Sequence, residues 1–179
     1  MMNDDRPIIL IGYRATGKTT IGQLLAQALG WTFVDADVLL EARYGKTIRE
    51  MFATEGEQIF RDRESAILRE LSRTPRHVIA TGGGVIMRPE NREQLREAIV
   101  VWLKASPTIL HSRIEHDPTT TERRPNLTNM GGLREITQLL ALREPLYAEC
   151  AHHTIDTESR SPEELVGDIL SLVTGERPA

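Results

Sequence analysis

The segment Gly12-Tyr-Arg-Ala-Thr-Gly17-Lys18-Thr19 has the spacing G-x-x-x-x-G-K-[ST]. An apolar run, Ile8 to Ile11, precedes it and a helical pattern follows it. That setting is the one in which such a loop binds phosphate. Gly12 and Gly17 let the backbone take conformations that a Cβ would obstruct. The loop N–H groups then point inward at phosphate oxygens, and the following helix presents its N-terminus to the same anion. Lys18 would reach the β- and γ-phosphates of a nucleoside triphosphate, and the Thr19 hydroxyl would ligate Mg²⁺.

Four further groups of residues could do chemistry beside such a loop. Asp35 and Asp37 flank a strand end, and alternation puts both on one side if the chain stays extended. Magnesium takes one or two carboxylates with phosphate oxygens and water, so one aspartate could serve the metal and the other an acceptor. Either could instead cap a helix. In Phe60-Arg61-Asp-Arg63-Glu64, a helical Arg three residues before a Glu is ordinarily a solvated pair. Its other use is a guanidinium held by Glu64 and aimed at a carboxylate. Gly82-Gly83-Gly84 follows an apolar run, where glycines let a ligand approach the backbone closely or simply make a flexible turn. Arg123, Arg124 and Arg143 are the remaining candidates. An arginine on a closing loop stabilises transferring phosphate charge; the plain reading of Arg143 is a surface charge.

The elements that must position these residues alternate. Strands read at 7–12, 31–35, 77–81, 99–103 and 152–156, with helical patterns between them and after the last. Thr47 to Leu71 reads as one long helical stretch interrupted by Gly56, opened by a Thr47/Glu50 capping box. Ser106-Pro107 reads as a cap and first turn, and Ser161 as the cap of a last amphipathic helix. His116 to Gly132 lacks apolar periodicity and is rich in turn formers; long loops of this kind are often active-site lids. Such alternation predicts an α/β fold with a parallel sheet covered by helices on both faces. Ligands then sit beyond the carboxyl ends of the strands, where Gly12, Asp35 and Gly82 all fall.

Bulk properties narrow the class. The chain has 179 residues, 27% of them charged, and a net charge of −4. This opposes a general nucleic-acid surface, which needs clustered Lys and Arg. Cys150 is the only cysteine, so no internal disulfide and no cysteine-built zinc site is expected. His152 and His153 read as ordinary strand residues, and Cys150 as a small buried apolar one. No apolar run approaches a membrane span, and the polar start is unlike a signal peptide. The expectation is a cytoplasmic protein without nucleic-acid or membrane partners.

Taken together the segments resemble shikimate kinase. That family's pattern is a P-loop, D-x-D after strand two, F-R-x-x-E, G-G-G after strand three, R-P in the lid and R-x-P-L-Y in the next helix. All six occur here in order, as Gly12 to Thr19, Asp35-Ala-Asp37, Phe60 to Glu64, Gly82 to Gly84, Arg124-Pro125 and Arg143-Glu-Pro-Leu-Tyr147. The resemblance implies a three-layer αβα P-loop fold with a five-stranded parallel sheet and a mobile lid. It implies one monomeric kinase domain over 1–179, with the lid at about 116–132 and an acceptor-binding helical region at about 37–71. The implied reaction moves the γ-phosphoryl of ATP, with Mg²⁺, to the 3-hydroxyl of shikimate, towards chorismate and the aromatic amino acids. Implied ATP contacts are Gly12, Ala15, Thr16, Gly17, Lys18, Thr19 and Thr20, with Arg113 beside the adenine and Arg124 from the lid. Ile155-Asp156-Thr157 matches the adenine loop only loosely. Implied shikimate contacts are Asp37, Arg61, Gly82, Gly83, Gly84 and Arg143. Arg61 and Arg143 would take the carboxylate, and Asp37 the hydroxyls. Thr19 and Asp35 would serve the metal, and Lys18, Asp37 and Arg124 catalysis. Ala15 departs from the pattern, since many members carry glycine there.

Overall fold

The computed structural model describes residues 4–117 and 131–175. Ile8–Ile11 forms β1, the middle strand, and is wholly buried. The other strands are β2 (Thr32–Asp35), β3 (His77–Ala80), β4 (Ile99–Lys104) and β5 (His153–Asp156). They pair in the order β2-β3-β1-β4-β5, all parallel. The chain runs from β1 to one edge, returns through β3 beside β1, and crosses to β4 on the other side. The carboxyl end of β1 is therefore at the reversal of strand order, where open α/β sheets place their ligand crevice.

Side-chain alternation divides the core between the two faces. Ile9, Ile11, Ile79, Val100 and Trp102 face one way. They pack against α2 (Ala36–Tyr44), α3 (Ile48–Thr54), α4 (Glu57–Leu71) and α7 (Gly132–Cys150) through Leu40, Met51, Phe60, Ile67 and Tyr147. Ile8, Leu10, Val78, Val101 and Leu103 face the other way, against α1 (Lys18–Leu29) and α8 (Pro162–Thr174). Each fully buried Ile or Leu contributes on the order of 1.5–3 kcal/mol, so the near-continuous apolar strands suit a sheet covered on both sides. The two short helices that complete the order are α5 (Pro89–Leu95) and α6 (Pro107–Glu115).

Some local expectations hold and others are corrected. The interruption at Gly56 within Thr47 to Leu71 holds, its φ of +88° turning the chain between two helices, as does the Thr47/Glu50 capping box. Ser106 caps α6 by position only, for its side chain makes no cap bond. The Ser106 N–H instead donates to Glu158, 2.5 Å away. Helix α2 begins at Ala36, so Asp35 and Asp37 do not lie on one extended strand. The expected lid, 116–132, falls mostly outside the described residues, as do Arg123, Arg124 and Pro125. Among the described residues no helix is long and apolar enough to cross a membrane.

His152 precedes β5 and is more than a strand residue. Its Nδ1 accepts the Val100 N–H at 3.1 Å, so that nitrogen must carry no proton. Burial, then the charges of Arg6 and His153, hold its pKa below the ordinary 6.5. The unfolded chain therefore binds the proton more readily. The contribution to stability is complete above about pH 6.5 and is lost as pH falls through the lowered native value. Denaturant titrations between about pH 7.5 and 5 should show stability falling more steeply in the wild type than in His152→Asn. Parallel slopes would detach His152 from the acid sensitivity.

Candidate active site

The loop from Gly12 to Gly17 leaves β1 under tight backbone constraint. Gly12 has φ +142°, and a Cβ there would run into the Leu103 carbonyl oxygen of β4. Gly17, at φ +92°, caps α1. Ala15 takes φ +66°, the left-handed region where glycine is the usual residue. An alanine adopts it here, without the freedom that a glycine would have. Lys18 is buried and donates to the carbonyls of Gly12 and Tyr13, both at 2.8 Å. Thr16 Oγ1 donates to the Tyr13 carbonyl at 2.8 Å.

The glycine triplet follows β3 on the adjacent strand. Thr81 Oγ1 donates to the Leu10 carbonyl at 2.9 Å, which ties the start of this turn to β1. A Cβ on Gly83 would lie 3.3 Å from the Gly12 carbonyl oxygen. The Gly83 carbonyl in turn accepts the Tyr147 hydroxyl at 2.5 Å. At Gly84 a Cβ would lie 2.9 Å from both Nη1 and Nη2 of Arg61. Glycine there lets the guanidinium lie close against the chain. Arg61 also donates to the buried Glu64 carboxylate at 2.8 Å. Arg143 is not a surface charge: it is 8% exposed, and its Nη1 stands 3.5 Å from the Cβ position of Gly83.

Asp35 does two things at once. Its Oδ1 accepts the N–H groups of Asp37 and Val38 at 3.0 and 3.2 Å, capping α2. Its Oδ2 accepts the Thr19 hydroxyl at 3.2 Å. The cap thus fixes a carboxylate oxygen beside the loop threonine, and Asp37 follows in the first helical turn. A cavity of about 260 Å³ opens here, lined by Lys18, Thr19, Asp35, Asp37, Gly82 and Gly83 among others, including Ala15, Gly17 and Thr20. Paired Thr and Asp oxygens suit Mg²⁺, which relies on phosphate oxygens and water for its remaining ligands. Among the described residues no three His, Cys, Asp or Glu side chains converge into an all-protein metal cage.

A larger opening, about 860 Å³, lies at the amino ends of the strands beside Asp4, Arg6, Arg73 and Glu97. Its arginines are paired with its own carboxylates, Arg6 with Asp4 and Arg73 with Glu97. It is also at the opposite end of the sheet from the reversal point, so the smaller cavity is the better candidate.

Of the sequence-predicted residues, Ala15, Gly17, Lys18, Thr19, Thr20, Asp35, Asp37, Gly82 and Gly83 line that cavity, Gly12, Thr16, Arg61, Gly84, Arg113 and Arg143 are not part of its lining, and Arg124 lies outside the described residues. Arg113 binds the Thr157 carbonyl at 2.6 Å, Thr157 Oγ1 at 3.0 Å and the Ala15 carbonyl at 3.3 Å. Ile155 and Asp156 belong to β5 rather than to a turn, and Ile155 is in the core. Sequence reasoning missed Tyr13, whose buried ring packs under the loop, and Tyr147, which holds Gly83. The signal for Tyr147 was present in R-x-P-L-Y; an aromatic at a variable loop position gave none for Tyr13. Asp117, which also lines the cavity, was not singled out.

This strand order, loop and facing glycine turn define a small P-loop kinase. A family model described as shikimate kinase matches residues 14–174. Shikimate kinase from Rhodopirellula baltica is 44% identical over 174 residues, covering 95% of this chain and 93% of its own. The solved structure of shikimate kinase from Acinetobacter baumannii in complex with shikimate superposes with a TM-score of 0.89 at 37% identity, covering 98% of this chain and 97% of that one. A gluconokinase from Sinorhizobium meliloti reaches a TM-score of 0.60 at 19% identity, covering 96% and 93%, and shares the fold alone. The chain belongs to the shikimate kinase family, and it is an ATP-dependent kinase acting on an alcohol group.

Two substitutions test the local geometry. Gly84→Ala meets only the end of a flexible side chain, so it should fold normally while displacing the Arg61 guanidinium. Its KM for the acceptor should rise about tenfold with little change for ATP; an unchanged acceptor KM would refute the contact's role. Ala15→Gly relieves a left-handed alanine and should stabilise by about 0.5–1 kcal/mol. The denaturant midpoint should rise at constant m-value, and a fall would show that the Ala15 methyl packs better than its backbone strains.

Proposed function

We propose that this chain transfers the γ-phosphoryl group of ATP to the 3-hydroxyl of shikimate, acting as one monomeric kinase domain in the cytoplasm. The observation that carries the residue roles is the contact between the two glycine segments. Gly83 lies against the Gly12 carbonyl, while Arg61 and Arg143 approach Gly84 and Gly83. The donor loop and two guanidinium groups therefore meet across one turn of backbone.

The roles follow from the chemistry of each group. Gly12 to Thr20 cradle the triphosphate, and Lys18 exchanges its loop carbonyls for β- and γ-phosphate oxygens. Arg61 and Arg143 take the shikimate carboxylate, since a planar fork matches a carboxylate bidentately. Glu64 fixes the angle of Arg61. Asp37 holds the acceptor hydroxyl and either accepts its proton or only aims its oxygen. The N–H groups of Gly82, Gly83 and Gly84 border the sugar-like ring. Arg113 lies at the adenine end, and Arg124 closes over the transferring group. Thr19 and Asp35 would hold Mg²⁺, which when bound neutralises charge on the phosphate oxygens. Positioning and charge stabilisation carry most of the rate in such a reaction.

Lys18→Ala should cut turnover at least about a hundredfold with the fold intact; near-normal turnover would reject the donor assignment. Arg61→Ala should weaken shikimate binding about 10- to 100-fold, and wild-type affinity would reject the carboxylate assignment. Asp37→Asn separates its two roles: a fall in turnover at constant affinity marks the base, and a matched fall in affinity marks orientation. ADP release from ATP should be stimulated by shikimate, and not by gluconate or nucleoside monophosphates.

A further inference from the structure

Arg143 differs from the other acceptor arginine in how it is held. Arg61 has Glu64 at 2.8 Å and Glu57 at 3.5 Å to fix its guanidinium. Arg143 is more deeply buried, yet among the described residues no carboxylate pairs with it, and its buried Nε has no hydrogen-bond partner. A long side chain of this kind has several rotatable bonds, and leaving them loose would weaken any bidentate contact it makes. What the structure supplies is an aromatic face. The Arg143 guanidinium carbon stands over the Tyr13 ring, 5.6 Å from its centre. The ring is 1% exposed and packed among Ala105, Leu110, Ile136 and Leu140. A desolvated cation over such a face is attracted by the ring quadrupole, without consuming the N–H donors that a carboxylate salt bridge would occupy.

We infer that Tyr13 is a positioning residue for acceptor binding: its ring is the shelf that aims Arg143 at the substrate carboxylate. A shelf suits this task better than a resident glutamate, because the edges of the guanidinium stay available to a bidentate anion. Tyr13 also belongs to the phosphate loop, and its carbonyl accepts Lys18 and Thr16. One residue therefore serves the donor side through its backbone and the acceptor side through its ring. The two uses separate, since any residue at this position keeps the carbonyl and only an aromatic one keeps the shelf.

The inference rests on the reading that Arg143 holds the shikimate carboxylate, and the experiment separates the two. Affinities for shikimate and for MgADP are measured by calorimetry on the whole chain. Tyr13→Leu should weaken shikimate binding about 5- to 30-fold and leave MgADP binding within about twofold. Tyr13→Phe keeps the ring and should bind shikimate within about twofold of wild type. Adding Tyr13→Leu to Arg143→Ala should cost nothing beyond Arg143→Ala alone, because the shelf then has nothing to carry. If Tyr13→Leu does not fold, Tyr13→Met takes its place with the same expectation. Three results would overturn the inference: equal losses in Phe and Leu, a parallel loss of MgADP affinity, or additive losses in the double variant. Wild-type shikimate affinity in Arg143→Ala would instead overturn the acceptor assignment beneath it.

Discussion

The architecture depends on a backbone-to-backbone approach. Gly12 ends β1 with its Cα against the Leu103 carbonyl of β4, and its own carbonyl faces Gly83 beyond β3. Three neighbouring strands thus converge on a point where side chains are excluded. Interiors are close-packed and stiff, so the spacing between the two glycine segments is set by the sheet. Whatever binds the first segment stands at a fixed distance from whatever binds the second. A phosphoryl transfer needs that fixed distance more than it needs any single catalytic group.

Charge is distributed around this point with different degrees of support. Arg61 is braced by carboxylates, Arg143 by an aromatic face, Arg113 by two carbonyls and a hydroxyl. Each support leaves the guanidinium a different set of unused donors. Cys150, by contrast, is chemically quiet: burial pushes its thiol up to about 11, which keeps it protonated at neutral pH.

Much of this was legible in the sequence because the signals were local. Continuous apolar runs gave the strands, and the loop spacing gave the phosphate cradle. What was not legible depended on three-dimensional closure. Asp35 and Asp37 alternate only while the chain is extended, and the cap that starts α2 at Ala36 cannot be told from a longer strand by type alone. By its own helix pattern Arg143 could be a surface charge, and only the family resemblance gave it a role; its burial shows once α7 is seen to lie over the sheet. Tyr13 occupies a position that the loop pattern leaves open, so its packing against α6 and α7 residues left no trace in spacing. Fold class comes from periodicity, whereas the direction of a long side chain comes from its neighbours.

Lys18 has a thermodynamic implication for the loop it follows. By donating to Gly12 and Tyr13 it closes a ring within its own segment. The conformational entropy of ordering that segment is thereby spent in folding rather than in binding. A triphosphate bound there, as proposed, would trade partners with an ammonium already held by the loop carbonyls. On the proposed reading, more of the free energy of nucleotide contact would then be left for orientation of the reacting oxygen.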